Sequence, residues 1–320
     1  MKEFLIGKND AGQRLDRFLE KAVPALPLPL SQKYVRKKRI KINNKPSKGN
    51  YRLCEDDVLS LYINDEFFIP SDTNDAFLKI SAPDLTIVYE DEQILLVDKQ
   101  PGILVHPDGQ NSVFNTLVTN VQAYLYRKGE WNPADEHSFT PALCNRIDRN
   151  TGGIVIAAKT AAALRIINEK IKTREIDKYY LCIVHGKPSP PSGVLSGFLL
   201  KDKKTNRVYV RQNNERGTKA AETVYRSLAG KDGLTLLECR LITGRTHQIR
   251  VQLAAFGHPL LGDKKYGNEK DGEPYQALYS YKLVFSFSDT ESELSYLNGK
   301  AFTVQNIGFV DKYFDSFKLH

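Results

Sequence analysis

The stretch Asn145-Arg146-Ile147-Asp148-Arg149-Asn150-Thr151-Gly152-Gly153 runs directly into the apolar segment Ile154-Val155-Ile156-Ala157-Ala158. A carboxylate between two arginines is held ionised by its neighbours, and a loop that leads straight into a buried strand gives it a rigid seat. Both properties suit a catalytic acid, base or nucleophile, which makes Asp148 the first residue to explain. In an average basic protein an aspartate flanked like this is more often a surface ion pair than a catalyst. Thr151-Gly152-Gly153 shifts that balance, because a glycine turn lets backbone approach a ligand closely.

A second constellation is Thr243-Gly244-Arg245-Thr246-His247-Gln248-Ile249-Arg250, continuing to Val251-Gln252-Leu253-Ala254-Ala255-Phe256-Gly257. Ile249, Leu253 and Phe256 make the buried stripe of a short helix, and Arg250 falls at its edge, within reach of an active-site carboxylate. His247 and His258 lack the spacing of metal ligands and have no acidic companions, so each reads as a hydrogen-bonding residue, as does His106. In Lys178-Tyr179-Tyr180-Leu181-Cys182-Ile183-Val184-His185-Gly186, Tyr180, Cys182 and Val184 share one face of a strand. Tyr180 is either a core tyrosine or a ring laid over a base, with its hydroxyl near a proton to be moved.

The wider chain sets the context. Its 320 residues are long for a single core and imply two domains. A net charge of +8 points to a polyanionic partner, either nucleic acid or an acidic membrane. No apolar run approaches the roughly 20 residues of a membrane helix, and Met1-Lys2-Glu3-Phe4 opens no long apolar signal segment, so a soluble, cytoplasmic protein is expected. Cys54, Cys144, Cys182 and Cys239 have neither disulfide nor zinc spacing and read as free thiols in the core.

Residues 1–63 read as a small α/β module. Leu15, Phe18, Leu19 and Ala22 form a helical stripe, and Pro24, Pro27 and Pro29 break the chain. Ser31 is the expected cap of a second helix whose exposed positions hold Lys33, Arg36, Lys37, Lys38, Arg39 and Lys41. Val58 to Ile63 reads as a strand. Residues 64–84 mix acids, Ser and Pro without periodicity and read as a linker. From residue 85 to 320, strands are expected at Ile94 to Asp98, Ile154 to Ala158, Tyr179 to Val184, Lys219 to Ser227 and Leu234 to Thr243, and helices near Asn115 to Arg127, Ala161 to Lys172 and Thr246 to Phe256. Strands that follow one another without a helix imply an α+β fold: a mixed, largely antiparallel sheet with flanking helices around a central cleft.

Taken in order, the three motifs resemble the RluA-type pseudouridine synthases. That family carries His-Arg-Leu-Asp-x-x-Thr-Ser-Gly around its catalytic aspartate, a Lys-x-Tyr strand, and Gly-Arg-Thr-His-Gln-Ile-Arg leading to Gly-x-Pro-x-x-Gly-Asp-x-x-Tyr-Gly. The last stretch reads here Gly257-His258-Pro259-Leu260-Leu261-Gly262-Asp263-Lys264-Lys265-Tyr266-Gly267. Residues 1–63 resemble the αL-type RNA-binding module of a small-subunit ribosomal protein. The resemblance implies a uridine-to-pseudouridine isomerase acting on structured RNA, above all large-subunit ribosomal RNA, as a monomer without cofactor, metal or membrane. It implies Asp148, Tyr180 and Arg250 as catalytic residues. Arg146, Arg245, His247, Lys33, Arg36, Lys37, Lys38 and Arg39 would bind RNA, with Arg146 entering the gap left by a flipped nucleotide and Ile183 and Leu253 lining the pocket. This chain has Asn145 for the histidine, Ile147 for the leucine and Gly152 for the serine. Three alternatives stay open: a non-catalytic RNA-binding or ribosome-assembly protein, a synthase acting on transfer RNA, and a base-excising glycosylase, which would release uracil. A lipid-surface binder is a weaker fourth.

Overall fold

The computed structural model describes residues 1–68, 75–108, 115–202, 204–268, 271–289 and 291–318. Residues 69–74 of the expected linker, and Lys203, lie outside the described residues. The amphipathic stripe forms α1 (Leu15–Ala22), which buries Leu15, Phe18 and Leu19 on an antiparallel sheet. That sheet has the order β1 (Lys2–Leu5), β4 (Val58–Leu61), β2 (Ile40–Ile42), β3 (Lys45–Pro46).

The second helix differs from its expected form at both ends. α2 (Leu28–Arg36) starts at the prolines, because Pro29 falls in the first turn, where a missing N–H breaks no helical bond. Ser31 is therefore buried inside the helix instead of capping it. At the other end Lys38 takes a left-handed φ of 59° and turns the chain into β2. Lys33 and Arg36 ride on the helix, Lys37 closes it, Lys38 and Arg39 occupy the turn, and Lys41 is on β2. Lys33 and Arg36 to Arg39 are nonetheless all exposed, and none forms an ion pair with a described carboxylate.

The rest of the chain builds an eleven-stranded sheet. In chain order its strands are β5 (Thr86–Glu90), β6 (Ile94–Lys99), β7 (Ala142–Leu143), β8 (Gly152–Ala158), β9 (Ile176–His185), β10 (Ser192–Asp202), β11 (Arg207–Arg211), β12 (Thr218–Lys231), β13 (Leu234–Leu241), β14 (Leu278–Phe285) and β15 (Ala301–Thr303). Their order is β11-β10-β12-β13-β9-β14-β8-β6-β5, with β15 beside β14 and β7 beside β8. Only the β14–β8 pair is parallel, so the mixed, largely antiparallel α+β reading stands. Helices α3 (Leu117–Lys128), α4 (Ala161–Lys172), α5 (Gln248–Ala255) and α6 (Gly308–Tyr313) pack around it. Every residue of β8 is buried, which explains its unbroken apolar run.

Part of the segment 64–84 joins the core: Phe77 is buried with its ring edge-on to Trp131. The N-terminal module also touches the larger sheet domain. His137 packs its ring against Phe4 and Phe18, and the Asn9 side chain accepts the Ala161 N–H at the start of α4 while donating to Glu136. All four cysteines are free, but only Cys182 and Cys239 are in the core; Cys54 is exposed and Cys144 half-buried. No described helix is long and apolar enough to cross a membrane.

Candidate active site

Asp148 lies in the loop between β7 and β8. The loop is stitched to β8 by Asn145, whose Oδ1 accepts the Ile156 N–H at 2.8 Å, and is closed by Thr151 N–H donating to the Asp148 carbonyl at 3.1 Å. Asn145, where the family motif has histidine, is thus a backbone tie. The two glycines that follow are strand residues, and the close approach they permit is to protein, not to a ligand. A Cβ on Gly152 would sit 2.3 Å from the Tyr279 ring, and one on Gly153 (φ 118°) 2.3 Å from the Ser280 carbonyl. A serine at 152 would collide with Tyr279.

Neither flanking arginine reaches the carboxylate. Arg149 turns away to donate Nε–H to the Gly102 carbonyl, and Arg146 is exposed, with no hydrogen bond or ion pair to a described residue. The guanidinium that holds Asp148 is Arg250, on α5, whose Nη1 donates to Asp148 Oδ2 at 2.8 Å. Its other edge forks onto Asp263, with Nε to Oδ2 at 2.8 Å and Nη2 to Oδ1 at 2.9 Å. The Arg250 side chain is 8% exposed and Asp263 1%, against 24% for Asp148. Burial alone would lower the pKa of Arg250, but Asp263 and then Asp148 more than reverse that and raise it. Burial pushes Asp263 the other way, and Arg250 overrides it to hold the carboxyl below its usual range. Tyr266 lies beneath the guanidinium, 5.3 Å from ring centre to Cζ.

Asp263 went unassigned on the sequence, although the quoted Gly-Asp step was its signal: a lone carboxylate in front of Lys264 and Lys265. Gln248 ties together the run before Arg250. Its side-chain oxygen accepts from Thr243 Oγ1 and the Arg245 N–H, while its amide donates to Glu222 and Thr223, fixing the loop to β12.

Tyr180, on β9, is 6% exposed and lines the same cleft as Asp148. Burial, reinforced by the charge of Asp148, pushes its hydroxyl up to about 12, so it is a neutral phenol near pH 7. His247 and Arg245 line the cleft too, as do Arg146 and His106. Burial draws His247 down to about 4; Asp148 opposes this and Arg250 and Lys265 add to it, leaving a neutral imidazole. Ile183 and Leu253 are fully buried and do not line the cleft; Ile183 points to the face of β9 opposite Tyr180, as the period of two requires. Lys33 and Arg36 to Arg39 belong to the separate N-terminal module. The cleft encloses about 1270 Å³, room for more than one nucleotide. Among the described residues, no group of three or more His, Cys, Asp or Glu side chains is placed to hold a metal ion.

Lys99 was not anticipated. It is 1% exposed and its Nζ donates to the carbonyls of Gln100 (3.0 Å), Ile103 (3.0 Å) and Arg149 (2.9 Å). Burial lowers its pKa to about 7, with Asp148 and Asp98 opposing. Three acceptors around one nitrogen call for the three N–H bonds of the ammonium form. Lys99 therefore pins the turn that carries Arg149, one residue from Asp148. Lys99→Met takes the donor from the Gln100 and Ile103 carbonyls, at about 1–3 kcal/mol each, while the Arg149 carbonyl keeps the Gly102 N–H. Thermal or urea unfolding should show a loss of about 2 kcal/mol or more.

The RNA pseudouridylate synthase family matches residues 93–255, and the S4 domain matches residues 13–59. An uncharacterized RNA pseudouridine synthase of Mycoplasma genitalium is 33% identical over 90% of this chain and 90% of its own length. The ribosomal large subunit pseudouridine synthase C of Haemophilus ducreyi is 31% identical over 91% of this chain and 89% of its own. Among solved structures, human RNA pseudouridylate synthase domain containing 4 superposes with a TM-score of 0.55 at 21% identity, covering 70% of this chain and 89% of that one, which shows a shared fold. With an S4 domain ahead of a sheet of this topology and relatives matched along nine-tenths of its length, the chain belongs to the RluA-type RNA pseudouridine synthases.

Proposed function

We propose that this enzyme isomerises specific uridines of large-subunit ribosomal RNA, with Asp148 as the reacting carboxylate and Arg250 and Tyr180 as its partners. One observation carries the reading: Asp148 is bonded to a buried guanidinium inside a cleft it shares with Tyr180. The ribosomal target is supported by relatives named ribosomal large subunit pseudouridine synthase C. Residues 1–63 act as the RNA-binding module, 64–84 as the connection and 85–320 as the catalytic domain.

Isomerisation breaks the bond between ribose C1′ and uracil N1, turns the base and rejoins it through C5. Asp148 either attacks covalently or removes a ribose proton to give a glycal; both need an ionised carboxylate. Tyr180 stacks on the uracil. Its hydroxyl, protonated near neutrality, is better suited to hydrogen bonding than to acting as a strong base at C5. The base must leave its helix to enter, and Arg146, exposed at the cleft and unpaired among the described residues, fills the gap it leaves.

Tritium release from RNA carrying 5-tritiated uridine tests the chemistry, and mapping pseudouridines in ribosomal and transfer RNA with and without the enzyme tests the target. Free uracil among the products would indicate a glycosylase instead. The basic cluster makes a separate prediction. Changing Lys33, Arg36 and Lys37 to glutamine should weaken RNA binding and flatten its salt dependence by about 0.7–0.9 in the log–log slope per lost phosphate contact. An unchanged slope in a filter-binding series would remove this cluster from the RNA interface.

A further inference from the structure

We propose that His247 donates a hydrogen bond from Nε2 to a carbonyl oxygen of the reacting uracil, and that Tyr266 fixes the imidazole in the tautomer this requires. The donor role rests on the uridine reading above; the tautomer does not.

Tyr266 Oη accepts the backbone N–H of Val208, on β11, at 2.8 Å. Its single proton is then free to donate, and the acceptor beside it is His247 Nδ1, also at 2.8 Å. A ring nitrogen that accepts carries no proton, so the neutral imidazole is protonated at Nε2. That nitrogen lies 3.9 Å from Asp148 Oδ2, beyond hydrogen-bond range, so its N–H faces the reacting carboxylate without being consumed by it. The backbone supports the placement. His247 adopts a left-handed φ of 54°, unusual for a residue other than glycine, directly before α5, and strain of this kind persists only where surrounding contacts enforce it. Tyr266 also packs edge-on against the imidazole, at 5.5 Å between ring centres.

The chemistry gives the donor its use. As the C1′–N1 bond breaks, its electron pair stays with uracil and spreads onto the two ring carbonyls. A fixed N–H aimed at one of those oxygens binds more tightly as that charge grows, which lowers the barrier. The proton remains on Nε2 throughout. A neutral donor suits this position, since an imidazolium would form an ion pair with Asp148 and draw it away from the substrate. The depressed basicity of His247 keeps it neutral under physiological conditions.

Glutamine and asparagine separate the two ring nitrogens, because the Gln amide nitrogen reaches approximately the place of Nε2 and that of Asn approximately the place of Nδ1. His247→Ala and His247→Asn should each lower kcat for tritium release about 10²-fold, the effect of losing one fixed donor to a developing oxyanion, with KM for RNA changed only a few-fold. His247→Gln should recover at least tenfold of that loss. Nitrogen-15 NMR of the histidine-labelled full-length enzyme, with the His247 signals assigned by their absence in His247→Gln, should show Nδ1 bare and Nε2 protonated. Tyr266→Phe should convert this to a mixture of tautomers and lower kcat. A protonated Nδ1 in the wild-type protein, or equal rates for the Gln and Asn variants, overturns the proposal. No tritium release by the wild-type enzyme would instead defeat the uridine reading, and the donor role with it, before any substitution is compared.

Discussion

Asp148→Asn should bring tritium release to background while RNA affinity stays within a few-fold of wild type. Asparagine keeps the size of the side chain, and its Oδ1 can still accept from Arg250 Nη1, so the loop has no reason to move. What disappears is the charge that both chemical routes depend on, as nucleophile or as base. The local ledger shows why that charge is usable. Two carboxylates face one guanidinium, and Asp263 takes two of its N–H groups while Asp148 takes one. Asp263 thus neutralises most of Arg250, and Asp148 is steadied without being fully cancelled. On the proposed reading, in which phosphate contacts on both modules supply most of the RNA affinity, the loss of one carboxylate in the cleft changes it little. Single-turnover tritium release and filter binding at one fixed salt concentration check both halves. Release at the wild-type rate would remove Asp148 from the chemistry.

Much of this centre was legible in the sequence because it is local. The run into Ile154 announced a buried strand, and the edge position of Arg250 followed from the stripe of Ile249 and Leu253. Arg250 was already expected within reach of an active-site carboxylate, but the arginines that flank Asp148 in the chain were a different matter. Arg146 and Arg149 are its neighbours along the chain, yet alternation and loop direction turn them outward, and the bonded guanidinium comes from a helix 102 positions away. Sequence proximity is a poor guide to contact where a loop reverses. Gly152 and Gly153 misled for a similar reason: the surface they approach is β14, whose residues come 127 positions later in the register Tyr279 to Gly152. β10 and β11 escaped notice because only Leu199 and Val208 are buried in them; strands that project from the core carry little apolar alternation. Lys99 is invisible to pattern reading altogether, since its three acceptors are backbone carbonyls, which any sequence supplies.

Arg250 should show the second large effect, and it divides stability from catalysis. Arg250→Met leaves Asp263, 1% exposed, as a buried carboxylate without a counterion, a change that costs about 3–5 kcal/mol. Adding Asp263→Asn should return most of that stability. The amide removes the buried charge, and its oxygen can still accept the backbone N–H groups of Lys265 and Tyr266 that Oδ1 now receives. Turnover should not return with it, because Asp148 still lacks the group that positions it. Arg250→Lys gives the complementary result. An ammonium keeps the charge but cannot fork onto Asp263 while reaching Asp148, so the protein should fold with the carboxylate displaced, and a misplacement of about 1 Å is enough to lower kcat about 10²-fold. Urea unfolding and tritium release, run on the three variants side by side, separate the two roles. If the double variant regained activity along with stability, Arg250 would be only a structural counterion to Asp263. If it regained neither, Asp263 would be needed for more than holding the arginine.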